Sequence, residues 1–174
     1  MKYKLNTLMI FLFTVQSMSA QSKKETEEWI ITKFQEYSLV NNRDNNLLGN
    51  THTLTIQNGN LILFDKLNND TILYEKIPIN KISTFDMSEV EKKYEGGYAL
   101  YLFCQNRNYC IEQGTFIEGQ NKFIKDNSIN NYHIMLRLNS GFGENNIPNR
   151  MVKAIKHLVK LYGVKEIKEE REAF

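Results

Sequence analysis

The chain has almost no charge imbalance, and this absence limits what it can bind. It contains 22 Lys and Arg against 20 Asp and Glu in 174 residues. Two of the basic residues, Lys2 and Lys4, lie in an N-terminal segment that we expect to be removed, which leaves a formally neutral chain. A nucleic-acid-binding surface needs an excess of basic side chains for its phosphate contacts, and a surface for anionic membranes needs a polybasic segment. The sequence therefore predicts no nucleic-acid partner.

Prolines, internal repeats and long apolar runs are also scarce. The two prolines leave no linker between domains, and no repeat of about 20–50 residues is present. After the N-terminus, no segment approaches the ~20 apolar residues that cross a bilayer as a helix. With 41% hydrophobic and 24% charged residues, the composition is typical of a globular protein. We expect residues 21–174 to form a single α+β domain with a charged C-terminal extension (165–174) and no integral membrane segment.

Residues 1–20 have the three parts of a secretory signal peptide. A charged start is followed by a short apolar run from Leu8 to Val15 and by small residues ending at Ala20. This order is typical of a cleavable leader, and the apolar run is too short for a membrane span. The sequence therefore predicts a secreted or periplasmic protein.

The only two cysteines, Cys104 and Cys110, lie close together in the part that follows the leader. An even number of cysteines in an exported chain favours a disulfide. Residues 98–103 and 109–112 look like paired strands around a turn at residues 106–108, which would place the two cysteines opposite each other. A metal site, free buried thiols and a nucleophilic cysteine remain as alternatives, although no nearby histidine completes a metal site.

Local signals predict a helix at each end of the mature chain, with strands between them. Ser22 and Glu25 fit a capping box before the first helix. Asn58-Gly59 separates two alternating apolar segments and indicates a tight hairpin. Pro148 and Gly163 bound the second helix. Its predicted apolar stripe consists of Val152, Ile155, Val159 and Tyr162.

The element order predicts an α+β fold in which a strongly curled antiparallel sheet of six or seven strands has a helix at each end. Strands do not alternate with helices, so a parallel sheet is excluded. We read residues 89–97 and 114–131 as loops. The segment 98–103 is apolar on both faces, which is typical of a central strand.

Two segments resemble those of pleckstrin-homology-like barrel domains, including small exported bacterial proteins of unknown function. Residues 74–82 run from a strand into an Ile-Pro-Ile-x-x-Ile corner, and residues 150–158 begin a C-terminal amphipathic helix. The resemblance implies a curled barrel closed by that helix. The phosphoinositide-binding loop of such domains has no counterpart in the Asn58-Gly59 turn, so the resemblance assigns no site residues.

No catalytic, cofactor-binding or metal-binding motif is present. The loop Gly141-Phe142-Gly143 lacks the third glycine and the βαβ context of a nucleotide site. His52, His133 and His157 do not form a His-x3-His pair, and no carboxylate lies at ligand spacing. The aromatic residues of the second half can instead line a pocket in which tyrosine hydroxyls provide polar groups. The residues that we assign to this pocket are Tyr98, Tyr101, Phe103 and Tyr132.

These observations favour an exported, non-enzymatic binding or interaction module without cofactors, whose partner is a protein or a small apolar ligand. One alternative is a carrier of a small apolar or lipid ligand in a sheet-enclosed pocket. Another is a small extracytoplasmic enzyme that uses His52 and His133 with a carboxylate. Convergence of two histidines and an acid within hydrogen-bond reach would favour the enzyme, and an enclosed apolar cavity would favour the carrier. A filled core with an exposed apolar patch would favour the interaction module.

Processing of the leader is the first testable prediction. We expect cleavage after Ala20, which leaves Gln21 as the new N-terminus, because the small residues before that bond suit a signal peptidase. The intact mass of the protein recovered from the cell envelope or the medium measures this. A full-length chain retained in the membrane fraction would contradict the prediction.

Overall fold

A computed structural model of the chain describes residues 22–38, 52–66, 72–90, 97–128, 130–165 and 167–169. The predicted signal peptide lies outside these residues. The described chain consists of helices and strands in the following order: α1 (Lys23–Tyr37), β1 (His52–Gln57), β2 (Asn60–Lys66), β3 (Ile72–Pro78), β4 (Ile82–Val90), β5 (Gly97–Cys104), β6 (Glu112–Ile117), β7 (Lys122–Lys125), β8 (His133–Leu138), α2 (Ile147–Leu161) and β9 (Lys168–Glu169).

The strands form two sheets. The five-stranded sheet has the order β1-β2-β3-β6-β7, and the four-stranded sheet has the order β8-β5-β4-β9. All described pairings are antiparallel except that of β9, which pairs in parallel with β4. The predicted α+β class and antiparallel pairing are confirmed. The strands divide between two open sheets, however, and do not form the single strongly curled sheet that we expected.

The first hairpin forms as its sequence predicts. Asn58 and Gly59 both have positive φ angles, 50° and 77°, as a two-residue type I′ turn requires. The resulting register pairs Leu54 with Leu63, so their side chains lie on the same face of the sheet. Local turn chemistry is enough to set this register.

Three strands were missed in segments of weak pattern. The register shifts between Ile82 and Thr84 in β4, and both Ile82 and Phe85 are buried. Because this irregularity separates the buried positions by three residues, the period of two that identifies a strand is lost. The predicted loop at 114–131 contains the end of β6 and all of β7, and β9 lies in the predicted C-terminal extension.

Both helices begin where expected and contribute to one hydrophobic core. Ser22 and Glu25 form the capping box, with each side chain accepting a hydrogen bond from the other residue's backbone N–H. The buried face of α2 is rotated slightly from the predicted stripe, because Val152 and Tyr162 are only half-buried. The buried residues of α2 are Ile147, Met151, Ile155, Leu158 and Val159. No helix in the described part of the chain is long and apolar enough to cross a membrane.

A disulfide joins Cys104 and Cys110, with the two Cα atoms 5.9 Å apart. The hairpin predicted around it is wrong. Cys104 ends β5, and its backbone N–H donates to the Tyr132 carbonyl at 2.7 Å. Residues after Cys110 leave for the other sheet, where Glu112 begins β6 and pairs with Lys76. The disulfide therefore connects the end of the four-stranded sheet to the start of a strand in the five-stranded sheet.

The disulfide should stabilise the fold without being essential to it. Its closed loop is short, so the chain-entropy estimate is about 2 kcal/mol, which corresponds to a melting temperature roughly 4–8 °C lower after reduction. Thermal unfolding with and without reductant measures this. The double variant Cys104→Ser/Cys110→Ser is the control, because it should melt at the reduced temperature in both conditions. Free thiols titrating in the native, unreduced protein would contradict the bond.

Candidate functional site

A cleft of about 850 Å³ lies between the two sheets. One wall is the inner face of the five-stranded sheet, and the other is the β8 edge of the four-stranded sheet. The cleft is partly open to solvent, and its surface is part polar and part apolar. Its size falls in the range of pockets that hold small organic ligands.

The inner face of the five-stranded sheet changes from apolar to polar along its strands. Successive side chains of a strand alternate between faces, so Leu61, Leu63 and Asp65 of β2 share the inner face. Leu61 is fully buried in the core, whereas Asp65 lines the cleft. The register pairs Asp65 with His52 of β1 and pairs Leu63 with Glu75 of β3. The inner face is thus apolar at the core end and polar at the cleft end.

The opposite wall consists of His133, Met135 and Arg137, which are alternate residues of β8. The intervening residues Ile134 and Leu136 point to the core and are buried. β8 therefore separates the apolar core on one face from the cleft on the other.

His52 lies deep in this site, beside a charge of each sign. Its Nδ1 is 3.9 Å from Oδ1 of Asp65, and its side chain is 11% exposed. Burial lowers the pKa of His52, the positive charge of Arg137 lowers it further, and the negative charge of Asp65 opposes both effects. Since the imidazole is neutral at pH 7, the contact with Asp65 is not an ion pair.

Glu75 is a second carboxylate in the same wall. Burial raises its pKa, and the charge of Asp65 raises it further, while a hydrogen bond donated by the Gln113 amide opposes the rise. Burial also lowers the pKa of His133 on the other wall. Burial therefore shifts the pKa values of ionisable groups on both walls towards their neutral forms.

Three polar atoms of cleft-lining residues are buried and have no hydrogen-bond partner in the described structure: Nε2 of His52, Oδ1 of Asp65 and Nδ1 of His133. A buried polar atom without a partner costs roughly 1–3 kcal/mol. Such atoms are rare in natural proteins, and each one calls for an explanation. A cleft that retains several of them is suited to polar contacts with a bound molecule.

The structure brings together three of the four residues assigned to an aromatic pocket. Tyr101 stacks beside Phe103 with ring centroids 6.2 Å apart, and Phe103 beside Tyr132 at 6.3 Å. His133 contacts all three rings. The register places Tyr101 and Phe103 on the same face as the cleft-lining residues of β8, although none of the three rings lines the cleft itself. Tyr98 lies on the opposite face and packs against Phe142 with centroids 5.5 Å apart.

The other sequence candidates lie elsewhere. The loop Gly141-Phe142-Gly143 forms part of a 3-10 turn before α2. A Cβ on Gly143 would lie 2.6 Å from the Tyr98 hydroxyl, so close packing is the reason for this glycine. His157 lies on α2, outside the cleft. Within the described ranges, no three His, Cys, Asp or Glu side chains are placed to hold a metal ion.

The sequence analysis did not single out Asp65, Glu75 or Arg137. A signal for two of them was present, because Asp65 continues the inward alternation of Leu61 and Leu63, and Glu75 lies between the inward Leu73 and Ile77. A charged residue at a position where the period predicts an apolar one marks either an edge of the core or a site.

Comparison with protein-family models, with curated proteins and with solved structures gave no significant match.

Protonation of the cleft histidines should make the fold sensitive to acid. The pKa values of His52 and His133 are lowered in the folded state, so the unfolded chain takes up protons first, near pH 6.5. Stability should therefore fall as the pH drops from about 7.5 to 5.5. The raised pKa of Glu75 acts in the opposite direction but only nearer its own, more acidic range.

The measurement is the melting temperature against pH for the wild type, His52→Gln and His133→Gln. Each variant should show a smaller loss between about pH 7.5 and 5.5 than the wild type. Thr53→Ser is the control, because it changes an exposed residue of β1 outside the cleft without adding or removing an ionisable group, and it should follow the wild-type curve. Equal pH dependence in all four proteins would contradict the buried, neutral state of the cleft histidines.

Proposed function

We propose that the protein is an exported, non-enzymatic binding protein whose ligand site is the cleft between the two sheets. The observation that carries this proposal is the presence of unpaired, buried polar atoms of His52, Asp65 and His133 at one cleft of about 850 Å³. These atoms have no partner among the described residues, and a ligand can supply hydrogen bonds to groups of this kind. Export is supported by the leader-like N-terminus and by the disulfide.

The lining favours a small ligand with both polar and apolar parts. Leu63, Leu73 and Met135 provide apolar surface among the charged and polar side chains. A wholly apolar or lipid ligand would leave the polar atoms unpaired and would add the cost of desolvating the charges. Mixed lining with a few convergent polar groups is the usual composition of a small-molecule site.

The Asp65–His52 geometry is the reason to prefer binding over catalysis. In a catalytic Asp–His pair, the carboxylate accepts a hydrogen bond from Nδ1–H and so orients the imidazole, which leaves Nε2 to act as the general base. Here Nδ1 lies 3.9 Å from Oδ1 of Asp65, which is beyond hydrogen-bond distance. Asp65 therefore does not orient the imidazole for proton transfer, and the arrangement supports a recognition group better than a general base.

An enzyme that uses His52 and Asp65 remains the second candidate function. The observation that favours it is the 3.9 Å approach of Nδ1 to Oδ1, which a bound substrate can shorten into a hydrogen bond. His133 lines the same cleft from the other wall. Recovery of the bound molecule chemically changed after incubation with wild-type protein, but unchanged with His52→Gln, would favour this candidate.

We also retain the pleckstrin-homology-like barrel as a proposal about the fold. The antiparallel strands followed by a C-terminal amphipathic helix support it. This proposal concerns the arrangement of the strands and assigns no ligand.

The binding proposal is tested by filling the cleft. Thr115 lies on the inner face and lines the cleft, so Thr115→Trp should occupy the space and abolish binding. Thr53→Trp is the matched control, because Thr53 is exposed and lies on the outer face of β1. Thermal shift with a library of organic acids, amines, amino acids, short peptides and sugars provides the measurement.

We expect at least one probe class to raise the melting temperature of the wild type and of Thr53→Trp, but not that of Thr115→Trp. A probe that stabilises all three proteins equally binds elsewhere and contradicts the assignment of the cleft. The absence of any stabilising probe would contradict small-ligand binding.

A further inference from the structure

Arg137 and Asp65 carry opposite charges on opposite walls of the cleft and do not pair with each other. Glu75 is a further carboxylate on the wall of Asp65, and it accepts a hydrogen bond from the Gln113 amide. Arg137 extends from β8 and Asp65 from β2, and both act electrostatically on His52. Within the described residues, no carboxylate lies within ion-pair distance of Arg137. Among the described residues, His52 is the one basic group within 4.0 Å of Asp65, at 3.9 Å, and burial favours the neutral form of its imidazole.

Neither charge is fully hydrated. Both side chains are half-buried, and Oδ1 of Asp65 is buried without a hydrogen-bond partner. A charge that is partly removed from water gains most from a partner of opposite sign with hydrogen bonds. A guanidinium on one wall and a carboxylate on the other therefore form two complementary poles, one for an anion and one for a cation.

Apolar side chains lie among the polar ones beside these poles. Leu63 and Leu73 line the cleft from the wall of Asp65, and Met135 lines it from the wall of Arg137. A molecule that places charged groups at the two poles would lay its uncharged part against these side chains. The volume of about 850 Å³ leaves room for more than a single charged group.

We propose that the cleft binds a zwitterionic ligand, whose carboxylate pairs with Arg137 and whose ammonium group pairs with Asp65. This inference rests on the proposed binding function and specifies its ligand class. A short free peptide or an amino acid with an apolar side chain has this chemistry. Arg137 presents the fork of N–H groups that matches a carboxylate, while Asp65 presents an acceptor that an ammonium group can fill.

The test uses one peptide in four charge states. The probes are leucyl-leucine, its N-acetyl form (anion only), its C-terminal amide (cation only) and the doubly blocked form (neutral). Affinity is measured by calorimetry at pH 7 for the wild type. We expect the free peptide to bind roughly tenfold or more tightly than either singly blocked form, and the neutral form to bind weakest, because each lost pole removes a charge-assisted contact.

Two variants assign the poles separately. Arg137→Gln should weaken binding of the free peptide and of the N-acetyl form, but it should leave binding of the C-terminal amide unchanged. Asp65→Asn should weaken the free peptide and the amide but leave the N-acetyl form unaffected. The expected losses are roughly tenfold or more in affinity. Arg137→Lys should restore part of the loss, since it keeps the charge without the bidentate fork.

Controls separate folding from recognition. Lys153→Gln and Glu118→Gln change exposed charges outside the cleft and should leave all four affinities unchanged. Melting temperature and circular dichroism establish that each variant is folded before it is compared. If either cleft variant does not fold, the four wild-type affinities by themselves decide between a two-pole and a one-pole site.

The outcomes distinguish this inference from the function on which it rests. Equal affinity for the four peptides would contradict a zwitterionic ligand. Weaker binding of only one of the two singly blocked forms would also contradict it. In either case, a cleft ligand of another chemical class remains possible. If none of the four binds but another probe class stabilises the wild type and not Thr115→Trp, the zwitterion is overturned and the binding function stands. If no probe of any class binds the cleft, both proposals fail.

Discussion

The structure depends on the alternation of side chains along paired strands. Once the ladders set the register, every second residue of β1, β2 and β3 must lie on the same face of the five-stranded sheet. That face carries Leu61 and Ile77 at one end and Asp65 at the other. The apolar end packs into the shared core of helices and sheets. The polar end cannot join that core, and it forms a wall of the cleft.

β8 is the second requirement, because it holds the opposite wall in place. At its start, the backbone of Tyr132 accepts a hydrogen bond from Cys104 at 2.7 Å. At its end, Asn139 donates to the Tyr37 carbonyl at the end of α1, also at 2.7 Å. The Cys104–Cys110 disulfide restrains the chain that leaves β5. A wall anchored at both ends holds His133 and Arg137 in a preorganised geometry, which is what the proposed ligand site requires.

The electrostatics of the cleft oppose stability. Histidines held neutral by burial and a carboxylate with a raised pKa are all less favourable than apolar residues of similar size would be. Natural proteins usually keep such groups where they have a role. The hydrophobic core offsets this cost. Large, fully buried side chains from both sheets and both helices supply the stability that the cleft does not.

Features that depend on residues close together in the chain could be predicted from the sequence. The Asn58-Gly59 turn set the first hairpin, Ser22 and Glu25 set the start of α1, and the spacing of apolar residues placed α2. These features are local, because turn and capping geometry involve residues no more than a few positions apart.

The division into two sheets and the full set of residues in the cleft depend on long-range contacts, so they could not be predicted from local patterns. The irregularity in β4 hid a strand, and β6 left the expected hairpin to pair with β3. His52 and Asp65 are paired by the first hairpin, whereas Arg137 comes from β8 in the other sheet, and no local pattern links the hairpin to β8. Their proximity follows from long-range pairing and from the way in which the sheets share a core, which are set by the packing of the whole chain.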